Sequence, residues 1–323
     1  MINVLKRTIG HFPFLKKLLL PFYLASGSMV YWIYKSFNLS FSYSLADKSR
    51  VEFFPNGQVA KGIFLGGFEK KELEIFQLFL KPGSVLIDAG ANIGLYSIIG
   101  SRLVGTSGKV YSFEPSKENF NLFLKNIELN KSDNILSINK GLGDKAGESL
   151  VLLQNHKTGD AEKYILTGEN NSTATGSELN KEDLSETIIL DSLDNFQLQH
   201  DIKKVDFLKI DVEGYEYYLL KGAENLLKNN PDIVILFECA DHLAKRACSS
   251  QSEVFTFLNN LGIEIIYWNE QEKKWNVELG TGINTGQLLG GRDISSKLNK
   301  LIFNESNNSS TLNNSSFATS TRT

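Results

Sequence analysis

Three short runs concentrate ionisable side chains next to glycine in a way that core packing does not require. The first is Val85-Leu-Ile-Asp-Ala-Gly-Ala-Asn-Ile-Gly-Leu-Tyr-Ser97, an apolar strand pattern leading through a glycine-containing turn into a helical pattern. Glycine lets a backbone turn sharply and approach a ligand closely. A dinucleotide fingerprint begun at Gly90 needs glycine at 92 and 95, where the chain has Asn92 and Leu95, so the pyrophosphate cradle is missing. What remains is an acid at the strand end, Asp88, followed by Gly-x-x-x-Gly from Gly90 to Gly94. That pattern suits a ligand with an amino-acid portion. Asp88 can organise the loop amides or accept from an ammonium group, while amides at the helix start favour an anion. A tight strand-to-helix turn with no ligand is the plain alternative.

The second signal is Glu114, directly after an apolar strand ending at Phe113 and followed by Pro115. An acid there accepts hydrogen bonds from ribose hydroxyls in doubly wound sheets; taken alone it is an ordinary solvated glutamate. The third is Asp206-Phe-Leu-Lys-Ile-Asp-Val-Glu-Gly-Tyr-Glu216. In an extended segment Lys209 and Asp211 share one face, and Asp211 arrives at the carboxyl end of the strand, where open α/β sheets place their sites. Ionisable groups on so apolar a strand point to a site, or to a structural salt bridge between Lys209 and a neighbouring carboxylate. Glu238 ends the next strand pattern and is followed by Asp241 and His242, which either reaches the same crevice or is a surface histidine.

The elements that must position these groups can be read from periodicity. Short apolar runs alternate with helical patterns from residue 85 onward, the signature of βαβ units and a parallel sheet. Strands are predicted at 85–88, 109–113, 135–138, 205–210 and 233–237, and helices over 93–104 and from the cap Ser116 to Asn130. Residues 154–183 are polar and without sustained period, and read as a surface excursion that covers the acceptor. Glu264–Trp268 and Trp275–Val277 flank a polar turn and predict an antiparallel hairpin closing the sheet.

As a set and in this order, Asp88 to Gly94, Phe113-Glu-Pro115, Gly143-Asp144-Lys-Ala-Gly147, Leu190-Asp-Ser-Leu193, Phe207 to Gly214 and Leu220-Lys-Gly-Ala223 resemble the FkbM family over about residues 61–290. The resemblance implies a Rossmann-like α/β methyltransferase fold: a mostly parallel seven-stranded sheet in the order 3-2-1-4-5-7-6, its last strand antiparallel, with helices on both faces. It implies S-adenosylmethionine as cofactor, held by Asp88, Gly90, Asn92, Gly94, Glu114 and Asp144. It further implies methyl transfer, which we expect to go to a hydroxyl of a sugar, glycan or secondary metabolite. Glu213, Asp211 and His242, in that order, are the candidate bases for the hydroxyl proton, with Lys209 beside them. The sequence does not require a metal.

Bulk properties narrow the classes further. A chain of 323 residues with 41% hydrophobic and 22% charged residues has material for one large α/β domain with additions. Its net charge of −3, from 34 basic and 37 acidic residues, supplies no field for collecting nucleic acid. Two cysteines, Cys239 and Cys248, have neither disulfide-framework nor zinc spacing, and a reducing cytoplasm fits best. Residues 1–60 read as a helical extension. Their uncharged stretch 18–34 follows Lys6, Arg7, Lys16 and Lys17; it is short for a span and allows peripheral membrane contact. Fifteen of the twenty residues 304–323 are Asn, Ser or Thr, which predicts a disordered tail. The rival readings are a nucleotide-dependent oxidoreductase and a non-catalytic, membrane-docked nucleotide-binding module.

Overall fold

The computed structural model describes residues 40–44, 49–53, 70–154, 163–166, 184–269, 272, 274–277 and 287–309. In chain order, β1 (Phe41–Ser44) and β2 (Arg50–Phe53) form an antiparallel hairpin, and α1 (Lys70–Phe79) leads to β3 (Val85–Ala89). Then come α2 (Leu95–Val104), β4 (Lys109–Phe113), α3 (Lys117–Asn130), β5 (Ile135–Ile138), β6 (Gly141–Leu142), β7 (Ser149–Gln154), β8 (Lys163–Leu166) and β9 (Leu184–Asp191). After α4 (Leu193–Gln199) the chain forms β10 (Phe207–Ile210), α5 (Glu216–Lys221), α6 (Glu224–Asn229), β11 (Val234–Glu238), α7 (Asp241–Ala244) and α8 (Gln251–Asn260). It closes with β12 (Glu264–Asn269), β13 (Lys274–Val277), β14 (Gln287–Gly291) and α9 (Ile294–Ser309).

The main sheet has eight strands in the order β13-β12-β14-β11-β10-β3-β4-β5. Five neighbours, from β5 to β11, are parallel, and β14 runs antiparallel to both β11 and β12. Numbering the strands in βα succession reproduces 3-2-1-4-5-7-6. The eighth strand is β13, the second arm of the predicted hairpin, which pairs antiparallel with β12 at the sheet edge. All four residues of β10 and the first four of β11 are buried, as in a parallel sheet covered on both faces. Successive side chains alternate between two cores. Ile87, Leu208 and Ile210 pack among α4, α5, α6 and α8 residues, whereas Leu86 and Phe207 pack with Phe76, Tyr96 and Val104. Each such Leu, Ile or Phe contributes roughly 1.5–3 kcal/mol by leaving water.

Three regions differ from the sequence reading. Part of the excursion 154–183 is the strand β8, which joins a second, four-stranded sheet of order β6-β9-β7-β8. Its only apolar pair with period 2 is Tyr164 and Leu166 around Ile165, too short a signal against polar flanks. Tyr215 on the main domain closes this sheet's core of Leu152, Ile165, Ile188 and Leu190. Within residues 1–60, the described part is not helical but the β1–β2 hairpin, where Val51 and Phe53 are buried and Arg50 is exposed. The basic segment and the stretch 18–34 lie outside the described residues. Helix α9, anchored by buried Ile294 and Leu298, continues through Ser309 and so enters the segment read as a tail; residues 310–323 lie outside the described residues. No helix among the described residues is long and apolar enough to cross a membrane.

Candidate functional site

The turn after β3 is held by the protein's own backbone and by flanking side chains from the end of β4 and from α3. Gly90, Asn92 and Gly94 all have positive φ, 81°, 52° and 87°, a conformation cheap for glycine and tolerable for asparagine. The amides of Gly90 and Ala91 both donate to the Phe113 carbonyl at the end of β4, at 3.0 and 2.9 Å. A Cβ on Gly90 would meet the Asp211 carbonyl oxygen at 1.8 Å, and one on Gly94 would meet the Phe123 ring at 2.0 Å. Both glycines are therefore required by close approach of neighbouring elements, a different reason from the ligand approach read in the sequence. Gly94 sits at the N-cap of α2 against α3, beneath the cleft.

Glu114 connects this turn to the next. Its Oε2 accepts from the Asn92 amide at 2.8 Å, and its Oε1 accepts from the Ser116 amide at 2.9 Å and from Asn119 Nδ2 at 3.5 Å. The side chain is only 5% exposed. Burial pushes its carboxyl up to about 7, against the pull of the Ser116 and Asn92 amides and of Lys163. Ser116 stands at the N-cap of α3, but its hydroxyl accepts from Lys163 Nζ at 2.6 Å instead of from the helix amides.

Asp88, Lys209 and Asp211 form a chain from the core to the surface. Asp88 is paired in register with Ser112 on one side and Lys209 on the other, so all three point to the α2 face. Ser97 Oγ of α2 donates to Asp88 Oδ2 at 2.5 Å, and Lys209 Nζ lies 3.9 Å from Asp88 Oδ1. Burial raises the Asp88 carboxyl above the ordinary range, opposed by Lys209 and Ser97. Lys209 Nζ also donates to Asp211 Oδ2 at 3.2 Å and lies over the Tyr96 ring at 4.6 Å from its centroid. Lys209 is 5% exposed and Asp211 38%. The shared face of Lys209 and Asp211 is as predicted, but it places the lysine in the core and only the aspartate at the surface.

The turn after β10 carries the remaining acids. Glu213 and Gly214 have φ of 52° and 106°, and a Cβ on Gly214 would meet the Leu243 carbonyl of α7 at 2.2 Å. Gly214 donates its amide to Glu216 Oε1 at 3.0 Å; this glutamate is 2% exposed, and burial pushes its carboxyl up to about 7.

One cleft gathers the carboxyl ends of four strands. It is lined by Gly90 and Asn92 after β3, Phe113, Glu114 and Pro115 after β4, Lys140 to Leu142 after β5, and Asp211 to Glu213 after β10. Between β3 and β10 the strand order reverses direction, the place where open α/β sheets bind their ligands. Asn119, Leu152, Lys163 and Ile165 complete the walls. These last four, with Lys140 and Leu142, were not singled out in the sequence. The strand-end rule applied to β5 points to Lys140 and Leu142; nothing local marks the others. Of the predicted residues, Gly90, Asn92, Glu114, Asp211 and Glu213 meet on this cleft, while Asp88, Gly94 and Lys209 lie beneath it. Asp144 and His242 do not line it. Asp144 turns toward α5, 3.6 Å from Lys221 Nζ, because Gly143 packs against Gly222 there. His242 is exposed on α7; it is Leu243 of that helix whose carbonyl meets the acidic turn. Among the described residues no group of three or more His, Cys, Asp or Glu side chains is placed to hold a metal ion.

Comparison with known proteins places this cleft within a family. A methyltransferase 1 of Beauveria bassiana is 26% identical over 148 residues, 44% of this chain and 59% of that protein. The hexuronic acid methyltransferase AglP of Haloferax volcanii is 25% identical over 167 residues, 51% of this chain and 61% of that protein. The chain thus spans about three fifths of the length of these curated relatives. A crystal structure of methyltransferase FkbM from Methylobacillus flagellatus aligns with 72% of this chain and 52% of that one, at 15% identity and a TM-score of 0.38. The methyltransferase FkbM domain itself matches residues 88–265, more than half of the chain and the whole span from Asp88 to β12, and the chain belongs to that family.

Proposed function

We propose that the chain is an S-adenosylmethionine-dependent methyltransferase acting on a hydroxyl oxygen of a sugar-containing acceptor. The observation that carries this reading is the meeting of Glu114, Asn92 and Glu213 on one cleft at the reversal of strand order. The residues there fit an adenosyl ligand. Glu114 is a buried carboxylate oriented by two backbone amides, and a carboxylate has about four lone-pair sites, so it retains acceptor capacity for a ribose diol. Phe113, Pro115 and Leu142 supply an apolar wall for a flat base. The space beside Gly90 is filled by the Asp211 carbonyl, which argues against the close diphosphate approach that the oxidoreductase reading needs.

When bound, the cofactor supplies a methyl group already activated by its sulfonium, so alignment and exclusion of water account for most of the rate. The chain's own residues must then hold the acceptor and take its proton. Glu213 is our first candidate for the base, at the lip of the cleft on a turn that fixes its backbone. Asp211, anchored by Lys209, is suited to holding the acceptor hydroxyl by a hydrogen bond, and Lys209 positions Asp211. Lys140 and Lys163 also line the cleft, but Lys140 is paired with Asp191 and Lys163 with Glu118. The hexuronic acid methyltransferase among its relatives makes an acidic sugar the first acceptor to test. His242, exposed on α7, is no longer a candidate base.

Differential scanning fluorimetry with S-adenosylhomocysteine and NAD at equal concentrations tests the cofactor half of this reading. A ligand that binds the folded state raises Tm by mass action. S-adenosylhomocysteine is expected to raise it and NAD to leave it unchanged; a shift with NAD alone overturns the reading. Transfer of labelled methyl from S-adenosylmethionine to a hexuronic acid glycoside, compared with the neutral hexose, tests the acceptor half.

A further inference from the structure

Two asparagines on α3 treat β2 as a neighbouring strand would. Asn126 Oδ1 accepts from the Glu52 amide at 2.8 Å while its Nδ2 donates to the Glu52 carbonyl at 3.1 Å. One helical turn later, Asn130 Oδ1 accepts from the Arg50 amide at 2.8 Å and its Nδ2 donates to the Arg50 carbonyl at 2.6 Å. The spacing is geometrically matched: four residues of helix rise about 6 Å and two residues of strand about 6.6 Å. The backbone groups of Arg50 and Glu52 on the side away from β1 are thereby satisfied, as buried or edge-facing groups must be.

The two asparagines differ in where the second amide hydrogen goes. Asn130 spends it on the Asn126 carbonyl of its own helix, at 2.7 Å. Asn126 spends it on the carbonyl of Ile93, at 2.9 Å, inside the turn that runs from Gly90 to Gly94. Asn126 is 0% exposed, and both its donor hydrogens and its acceptor oxygen are engaged. Asn92, the neighbour of Ile93, has positive φ and is held from the opposite side by Glu114. The turn is therefore clamped between a carboxylate on the cleft and an amide behind it, and the amide is tied to a hairpin that lies outside the family-matched residues 88–265.

We infer that Asn126 is a positioning residue for the cofactor turn, through which the β1–β2 hairpin stiffens residues 90–94. The inference rests on the cofactor reading above. Asn130 is the internal control, since it clamps the same hairpin without touching the turn. Asn126→Asp keeps the shape and the acceptor but faces the Ile93 and Glu52 carbonyls with an oxygen. Asn130→Ala removes only the second clamp.

Two readouts separate the outcomes. Amide hydrogen exchange of the ligand-free protein is expected to quicken across residues 90–98 in Asn126→Asp and to stay at the wild-type rate there in Asn130→Ala. Calorimetry is expected to give S-adenosylhomocysteine affinity about tenfold weaker in Asn126→Asp and within about twofold of wild type in Asn130→Ala, the loss of one oriented bond. If Asn126→Asp does not fold, Asn126→Ser, too short to reach Ile93, takes its place with the same expectation. Exchange at 90–98 that is unchanged in the Asn126 variant, or equally fast in both variants, overturns the inference. If the wild type takes up no S-adenosylhomocysteine, the cofactor reading fails, and the exchange comparison alone still decides whether Asn126 braces the turn.

Discussion

The turns that follow β3 and β10 pack against each other, both line the cleft, and both use positive φ at and near glycine. They differ in the side chains they bring to the cleft. In the first turn the amides of Gly90, Ala91, Asn92 and Gly94 and the Ile93 carbonyl all find protein partners. In the second, Asp211, held by Lys209, and Glu213 bring carboxylates to the cleft, while Glu216 braces the turn from behind. A turn closed on its own protein makes a fixed surface that can bind equally in ground and transition states. A turn that leaves acids on the cleft can interact with charge that develops only during reaction. Affinity should therefore reside near the first turn and turnover near the second.

The largest effect should come from attacking the packing between them. Gly90→Val places a branched side chain on the Asp211 carbonyl at a positive φ, combining overpacking with backbone strain, which together cost on the order of 3–5 kcal/mol. Urea unfolding is expected to show a protein largely unfolded or with a much lower midpoint; a soluble variant of wild-type stability would mean the two turns are not in contact.

Next in size is Glu213→Gln. Loss of a general base lowers turnover by about 100-fold or more, so kcat should fall by that factor while calorimetric S-adenosylhomocysteine affinity is kept. Full turnover in the variant removes Glu213 as the base. Glu114→Ala should do the reverse. Hydrogen bonds to a charged group contribute about 1.5–3 kcal/mol, so cofactor affinity should fall by one to two orders of magnitude with kcat at saturation little changed. If both variants move the same parameter, the division between the turns is wrong.

A smaller effect is expected from pH. Glu114 and Glu216 are raised from 4.5 to about 7 by burial, so the folded protein holds their protons more tightly than the unfolded chain. Their contribution to stability is fully present below about 4.5 and is lost as pH rises through about 7. Glu114→Gln and Glu216→Gln should each flatten the fall in stability between pH 5 and 8, measured by urea unfolding. A ribose diol needs the Glu114 carboxylate, so cofactor affinity should move oppositely, weakening below pH 7. The smallest effect is expected at the far wall: Ile165→Ala should raise the KM for the acceptor a fewfold and leave cofactor affinity unaltered.

The same contrast explains how much could be read from the chain. The bounds of β4 and β5 match their predicted residues, because apolar β-branched runs bounded by turn residues need no tertiary context. The placement of Gly90, Asn92, Glu114, Asp211 and Glu213 on the cleft was legible for a related reason: each lies within three residues of a strand's carboxyl end, and strand ends meet at the crevice. Direction was not legible. Lys209 and Asp144 lie just as close to the motifs, yet one points into the core toward Asp88 and the other toward Lys221, outcomes fixed by register and by the packing of Gly143 on Gly222. The second sheet was missed because β6 has two residues and a partner, β9, far along the chain, while β8 has four residues between polar flanks. The hairpin clamp is invisible for the same reason, since Asn126 and Glu52 are 74 residues apart.

Calorimetric titration of S-adenosylhomocysteine into the wild type, Glu114→Ala and Glu213→Gln at pH 8 tests the central claim most directly. The expected result is stoichiometric binding to the wild type, affinity one to two orders of magnitude weaker in Glu114→Ala, and wild-type affinity in Glu213→Gln. Absence of binding to the folded wild type, or equal loss in the two variants, would contradict it.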